Sequence, residues 1–156
     1  MKKYYFTSES VTEGHPDKLC DYISDSVLDA CLSQDPNSRV ACETVAGKGE
    51  IVITGEITSN ADINIEEIAR NAMKEIGYDN AETDIDYKTC KVHINMSKQS
   101  ADIAMGTNEE VGGAGDQGIM FGYASDETEN YMPLAIDMAH KLAYKLETVR
   151  REDENS

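Results

Sequence analysis

The sequence predicts an α+β fold, with helices on one face of a mainly antiparallel sheet. Two stripes of apolar residues recur at helical spacing, over residues 19–31 and 65–76. Two stretches alternate apolar and polar residues as strands do, over 39–58 and 90–96. The resulting order, β-α-β-β-α-β, places strands next to strands, which suits an α+β layer better than a parallel doubly wound sheet.

Each element has its own signal. Residues 4–9 read as a short strand. Pro16 suits a first helical turn, where a missing N–H costs nothing, and Leu19, Ile23, Val27, Ala30 and Cys31 follow on one stripe. That helix should stop before Asp35-Pro36-Asn37, because a residue preceding proline avoids helical geometry. Residues 39–46 and 50–58 read as a hairpin around Gly47-Lys48-Gly49, with Ile51, Ile53 and Ile57 on one face of its second strand and Val52, Thr54, Glu56 and Thr58 on the other. Asn64 and Glu67 form a capping pair for a helix carrying Ile65, Ile68, Ala72 and Ile76, and Gly77 ends it. Cys90, Val92, Ile94 and Met96 alternate with Lys91, His93 and Asn95, which predicts a strand with one polar face. Residues 99–115 hold few apolar anchors and read as a mobile loop. A short strand at 119–124 precedes a final helix with Leu134, Met138, Leu142, Leu146 and Val149 on one stripe. The second face of the sheet is left to another domain, another subunit or water.

Composition narrows the function. A chain of 156 residues is long enough for one good core. Thirty acids against 14 bases give a net charge of −16, which argues against nucleic acid or an anionic membrane as partner. The same charge makes a triphosphate an awkward ligand for this chain alone. No apolar run approaches a membrane span, and Met1-Lys2-Lys3 is not followed by the apolar segment of a signal peptide. The four cysteines, at 20, 31, 42 and 90, form no Cys-x-x-Cys pair and read as buried, reduced thiols of a cytoplasmic protein.

Several polar residues stand where chemistry is plausible. His15 lies at a helix start, where free N–H groups and the helix dipole attract anions, and a protonated imidazole there can hold a phosphate oxygen. Its plainer reading is a surface histidine beside a cap. Asp17 is a hard oxygen donor of the kind Mg²⁺ prefers, or simply a favourable first-turn carboxylate. Lys18 reads as a helper at the site or as a solvated side chain. Glu43, alone, is a solvent-facing strand residue. Glu56 follows Gly55 on a strand face that also carries two threonines, and a carboxylate there can take an ammonium. Gln99 closes a polar strand face where a loop begins. In Gly113-Ala114-Gly115-Asp116-Gln117-Gly118-Ile119-Met120-Phe121-Gly122-Tyr123, glycines let the backbone approach a ligand closely. Asp116 there offers a negative acceptor, and Gln117 both a donor and an acceptor. His93 and His140 fit no motif and read as structural.

That Gly-rich run resembles the nucleotide-site signature of S-adenosylmethionine synthetases (methionine adenosyltransferases). Phe6-Thr7-Ser8-Glu9-Ser10-Val11-Thr12-Glu13-Gly14-His15-Pro16-Asp17-Lys18 resembles the family's opening segment. Ala41-Cys42-Glu43-Thr44, Gly55-Glu56-Ile57-Thr58 and Lys98-Gln99-Ser100 with Asp102-Ile103 continue the resemblance in the family's order. It runs from about Tyr5 to about Arg150, yet family members are more than twice as long. The resemblance implies a first synthetase domain over 1–100, a gating loop and Gly-rich segment over 101–115, and the start of a second, incomplete domain over 116–156. It implies methionine adenosyltransferase activity, with S-adenosylmethionine formed from ATP and L-methionine and phosphate and diphosphate released. His15 and Lys18 are implied to be catalytic, and His15, Asp116 and Gln117 to contact ATP. Glu56, Gln99 and Asp116 are implied to bind methionine, with Glu56 on its amino group. Asp17 is implied to bind Mg²⁺ and Glu43 to mark a K⁺ site.

Three departures stand out: Ala101 where the family often has proline, Met105 where it often has glutamine, and a short 107–113 segment. The family's other domains carry most of the lysines and arginines that clamp the triphosphate. The expected partner is therefore a second polypeptide carrying the remaining domains, in a hetero-oligomer built on a dimer. The alternatives are a non-catalytic regulatory relative or a truncated fragment that keeps the fold and the substrate half-site.

Overall fold

The structure, a computed structural model, describes residues 3–80, 85–97 and 118–152. They fall into two compact units, one starting at Pro16 and the other joining residues 3–15 to 118–152.

The larger unit opens with α1, Pro16–Gln34, as Pro16 predicts. Its stripe of Leu19, Ile23, Val27 and Cys31 is fully buried. The helix ends where Asp35 turns its carboxylate onto the next segments. Asp35 accepts from the amide of Asn37 at 3.0 Å and from the amide and side chain of Asn60 at 2.9 and 3.1 Å. These bonds tie the end of α1 to the residues that follow the hairpin. They also hold the Asp35 carboxyl below its ordinary range, the Asn60 amide contributing most.

Strands β1, Arg39–Gly47, and β2, Glu50–Thr58, form the expected antiparallel hairpin. Gly49 closes it at φ 72°, a conformation glycine enters without a steric penalty. Helix α2, Ile65–Ile76, is capped as its sequence predicts. The Asn64 side chain accepts from the Glu67 amide, and Gly77 is left-handed at φ 104°. Strand β3, Lys91–Ser97, then pairs with β2 in parallel, giving the order β1-β2-β3. The α+β class holds, and the sheet is mixed rather than mainly antiparallel. The physical reason is that α2 carries the chain back along the sheet before β3 begins, so β3 runs in the same direction as β2.

Ile51 and Ile53 of β2 pack with Leu19 and Ile23 of α1, with Ala69, Ala72, Met73 and Ile76 of α2, and with Ile85 and Cys90. Each fully buried Leu, Ile or Met of this cluster contributes about 1.5–3 kcal/mol. Both helices thus cover one sheet face, and Ser24 of α1 meets Thr44 of β1 at 2.9 Å on that side. All four cysteines are free thiols, and burial, the largest influence on each, raises all four pKa values. Cys31 and Cys90 are buried, as expected, while Cys20 and Cys42 are only partly so.

In the smaller unit, residues 125–133 form a turn that leads into α3, Leu134–Glu152. Glu127 accepts from the Leu134 amide at 2.8 Å and closes the helix start. Asp137 is buried and meets Lys141 at 2.6 Å and the Asn130 amide at 3.0 Å. Two sequence expectations fail in this unit. Residues 4–9 and 119–124 are not strands. A strand is held by a partner ladder, and no described residue pairs with either segment. Tyr5 and Phe121, which a sheet would bury, are 94% and 89% exposed. The predicted stripe of α3 is helical but uncovered, its five apolar residues 45–68% exposed. Among the described residues no helix is long and apolar enough to cross a membrane.

Candidate functional site

Pleating decides what the face of the sheet away from the helices presents. Cys42, Thr44 and Ala46 of β1 turn inward, so Ala41, Glu43 and Val45 turn out. The register places Ala41 opposite Glu56, Glu43 opposite Thr54 and Val45 opposite Val52. Glu43 and Glu56 are therefore diagonal neighbours on one face, with Cα atoms roughly 7–8 Å apart. On β3, His93, Asn95 and Ser97 extend the same face beside Val52, Thr54 and Glu56.

Gly55 makes this arrangement possible. Its φ is 143°, and a Cβ there would stand 2.0 Å from the Ala41 carbonyl oxygen. Only a residue without a side chain lets β2 approach β1 so closely one position before Glu56. The face is further fixed by Thr54 Oγ1, which donates to the Asn95 carbonyl at 3.1 Å. Ser97 Oγ likewise donates to the Gly55 carbonyl at 3.3 Å. With these hydroxyls committed to backbone, the charged functions on this part of the face are the carboxylates of Glu43 and Glu56. Neither Glu43 nor Glu56 has a hydrogen-bond or ion-pair partner among the described residues. Two uncompensated carboxylates on one pleated face attract cations, either an ammonium or a metal ion. At the other end of the face His93 Nε2 lies 3.5 Å from Glu50 Oε2, an ion pair when the imidazole is protonated.

Asp17 and Lys18 are exposed in the first turn of α1. Among the described residues no three His, Cys, Asp or Glu side chains converge as a metal cluster. Asp17 and Glu43 are single oxygen donors, a chemistry that fits Mg²⁺ and K⁺ when water and substrate oxygens complete the shell. Gln99, Asp116 and Gln117, and the loop expected over 99–115, lie outside the described residues.

His15 is half-buried and belongs to the smaller unit, where its amide donates to the Thr12 carbonyl at 3.1 Å. The residues just before it are tied down by contacts that sequence reasoning missed. Glu13 accepts from Arg150 at 3.2 Å and from Arg151, and both arginines also contact Glu147. Burial, followed by the facing Glu147 carboxylate, raises the Glu13 pKa. Ser10 Oγ meets His140 Nδ1 at 2.8 Å. The sequence signal was thin: Glu13 lies within the opening motif, but nothing local points to partners more than a hundred residues away.

The larger unit is thus a small α+β unit whose sheet face away from the helices carries two carboxylates, Glu43 and Glu56. Residues 3–101 match the N-terminal domain of S-adenosylmethionine synthetase and residues 111–156 match its central domain, so the chain belongs to that family. An S-adenosylmethionine synthase of Brachyspira hyodysenteriae is 53% identical over 163 residues, covering 97% of this chain and 41% of the relative. That of Prochlorococcus marinus (strain MIT 9313) is 54% identical over 162 residues, covering 97% and 39%. That of Clostridium tetani is 54% identical over 158 residues, covering 94% and 40%. The chain thus spans about two-fifths of the length of the relatives it matches.

Proposed function

We propose that this chain supplies the methionine- and cation-binding portion of a cytoplasmic methionine adenosyltransferase. The reaction joins the methionine sulfur to C5′ of ATP, expels the triphosphate, and hydrolyses it to phosphate and diphosphate. The observation that carries the reading is the pair of unpartnered carboxylates, Glu43 and Glu56, on one open sheet face in a chain of this family.

Glu56 takes the methionine ammonium, a charge-assisted contact that fixes the amino acid end of the substrate. Gln99 holds its carboxylate side, and Asp116 with Gln117 holds the adenosine. Because sulfur is already nucleophilic, no general base is needed, and these residues act by keeping sulfur and carbon in line. His15, assisted by Lys18, meets the phosphate oxygens at the bond that breaks. Asp17 and Glu43 would hold Mg²⁺ and K⁺, which when bound supply charge to neutralise the leaving triphosphate. The cationic remainder of the phosphate site comes from polypeptide beyond these 156 residues, carried by a second chain in a hetero-oligomer built on a dimer.

The test is Glu56→Gln in the completed assembly. The amide keeps the shape and removes the charge. The Michaelis constant for methionine should rise at least about ten-fold, the loss of one charge-assisted contact, while that for ATP changes little. Equal losses for both substrates would remove Glu56 from the methionine site.

A further inference from the structure

The side of the larger unit that carries α2 holds a feature with no part in the reading above. A surface cleft of about 450 Å³ lies between α2 and the turn that precedes β3. Arg70 builds its floor, donating to the Tyr87 carbonyl at 2.6 Å and the Cys90 carbonyl at 3.2 Å while pairing with Glu66 at 2.7 Å. This staple holds the Tyr87 backbone against the helix. The ammonium groups of Lys74 and Lys88 stand 5.8 and 5.1 Å from the centre of that one ring.

Neither lysine has a carboxylate partner among the described residues. In a chain with 30 acids and 14 bases, two lysines that share a tyrosine ring and no carboxylate leave a pair of positive charges at the mouth of a cleft. A single carboxylate would neutralise one of them, whereas a phosphate group at neutral pH carries up to two charges and three acceptor oxygens. The cleft exceeds the volume of a lone phosphate and falls within the range of small-molecule sites.

We propose that this cleft binds a small phosphate-bearing molecule, a short polyphosphate or a phosphate monoester, with its phosphate between Lys74 and Lys88. Asn71 lines the cleft as an additional donor, and Glu67 on its rim opposes the anion. The site is separate from Glu43 and Glu56, because α2 packs on the other sheet face. It stands or falls independently of the methionine reading.

Isothermal titration of the chain with inorganic diphosphate and, separately, with adenosine monophosphate tests it at low salt. Saturable binding of at least one is expected, and which one binds separates free polyphosphate from a nucleotide monoester. Lys74→Ala and Lys88→Ala should each weaken binding about three- to five-fold, and the double variant about ten-fold or more. Both lysines are exposed, so these variants keep the fold. Glu67→Gln should tighten binding, and Glu56→Gln should leave it unchanged. A shift of the Tyr87 ring resonances on titration should accompany binding. Absence of saturable binding, undiminished binding by the double variant, or binding of an acidic peptide in place of both phosphate probes would overturn the proposal.

Discussion

Gly55 is the position on which the carboxylate face depends, and its requirement is steric. With φ at 143° and the Ala41 carbonyl oxygen 2.0 Å from where a Cβ would stand, no other residue fits without moving β1 from β2. Gly55→Ala should cost about 3 kcal/mol or more from backbone strain and the clash, enough to lower the thermal midpoint by several degrees. Thermal denaturation followed by circular dichroism checks it, and a midpoint unchanged within a degree would contradict the close approach. At Asp35 the effect depends on pH. Its carboxyl titrates below the ordinary range when folded, because the Asn60 and Asn37 amides bind the charged form. The stability it adds is therefore complete above its unfolded pKa, about 4, and is lost as pH falls through the lower folded value. Asp35→Asn should be less stable than the parent at pH 7, with the gap closing as pH falls through the lowered folded pKa of Asp35. Urea denaturation across that range measures this, and a gap that persists in acid would refute it.

At the scale of elements, the legible parts were those stabilised by local chemistry. Helix α1 starts at Pro16 and stops before Asp35-Pro36, and α2 lies between the Asn64 cap and Gly77, as their sequences indicate. The β1–β2 hairpin was readable from alternation around a glycine turn. The direction of β3 was not, because alternation reports which residues share a face and says nothing about the neighbouring strand. The same blindness explains residues 4–9 and 119–124. Their apolar, aromatic character suits a strand, but a strand also requires a partner, and partners are long-range facts. The candidate site divides in the same way. Glu43 and Glu56 were identifiable singly by resemblance, while their shared face follows only from the register of Glu43 with Thr54 and of Ala41 with Glu56. The Glu13 contacts with Arg150 and Arg151 span the length of the chain and left no local trace.

Over the whole molecule, two unmet requirements point the same way. The stripe of Leu134, Met138, Leu142, Leu146 and Val149 is amphipathic in pattern yet 45–68% exposed, and Tyr4, Tyr5, Ile119 and Phe121 are more exposed still. Apolar surface in such quantity is stabilised by being covered. On the proposed function the acidic sheet face is likewise half of a site, because a triphosphate leaving group needs cations and this chain carries a net charge of −16. A single addition of protein carrying the remaining family domains would satisfy both. The purified chain, given ATP, methionine, Mg²⁺ and K⁺, should therefore form no S-adenosylmethionine above background. Each missing phosphate contact removes about 3–4 kcal/mol of transition-state stabilisation, so the loss of several lowers the rate by many orders of magnitude. Adding a polypeptide that carries the remaining domains of a relative should restore turnover. It should also form a complex burying on the order of 2,000 Å² or more, visible as a mass increase in solution. Hydrogen exchange should slow along α3 in that complex, because its apolar stripe becomes the interior of an interface. Robust product formation by the chain alone, or a complex that leaves exchange along α3 unchanged, would show that the exposed stripe and the acidic half-site are not two sides of one missing contact.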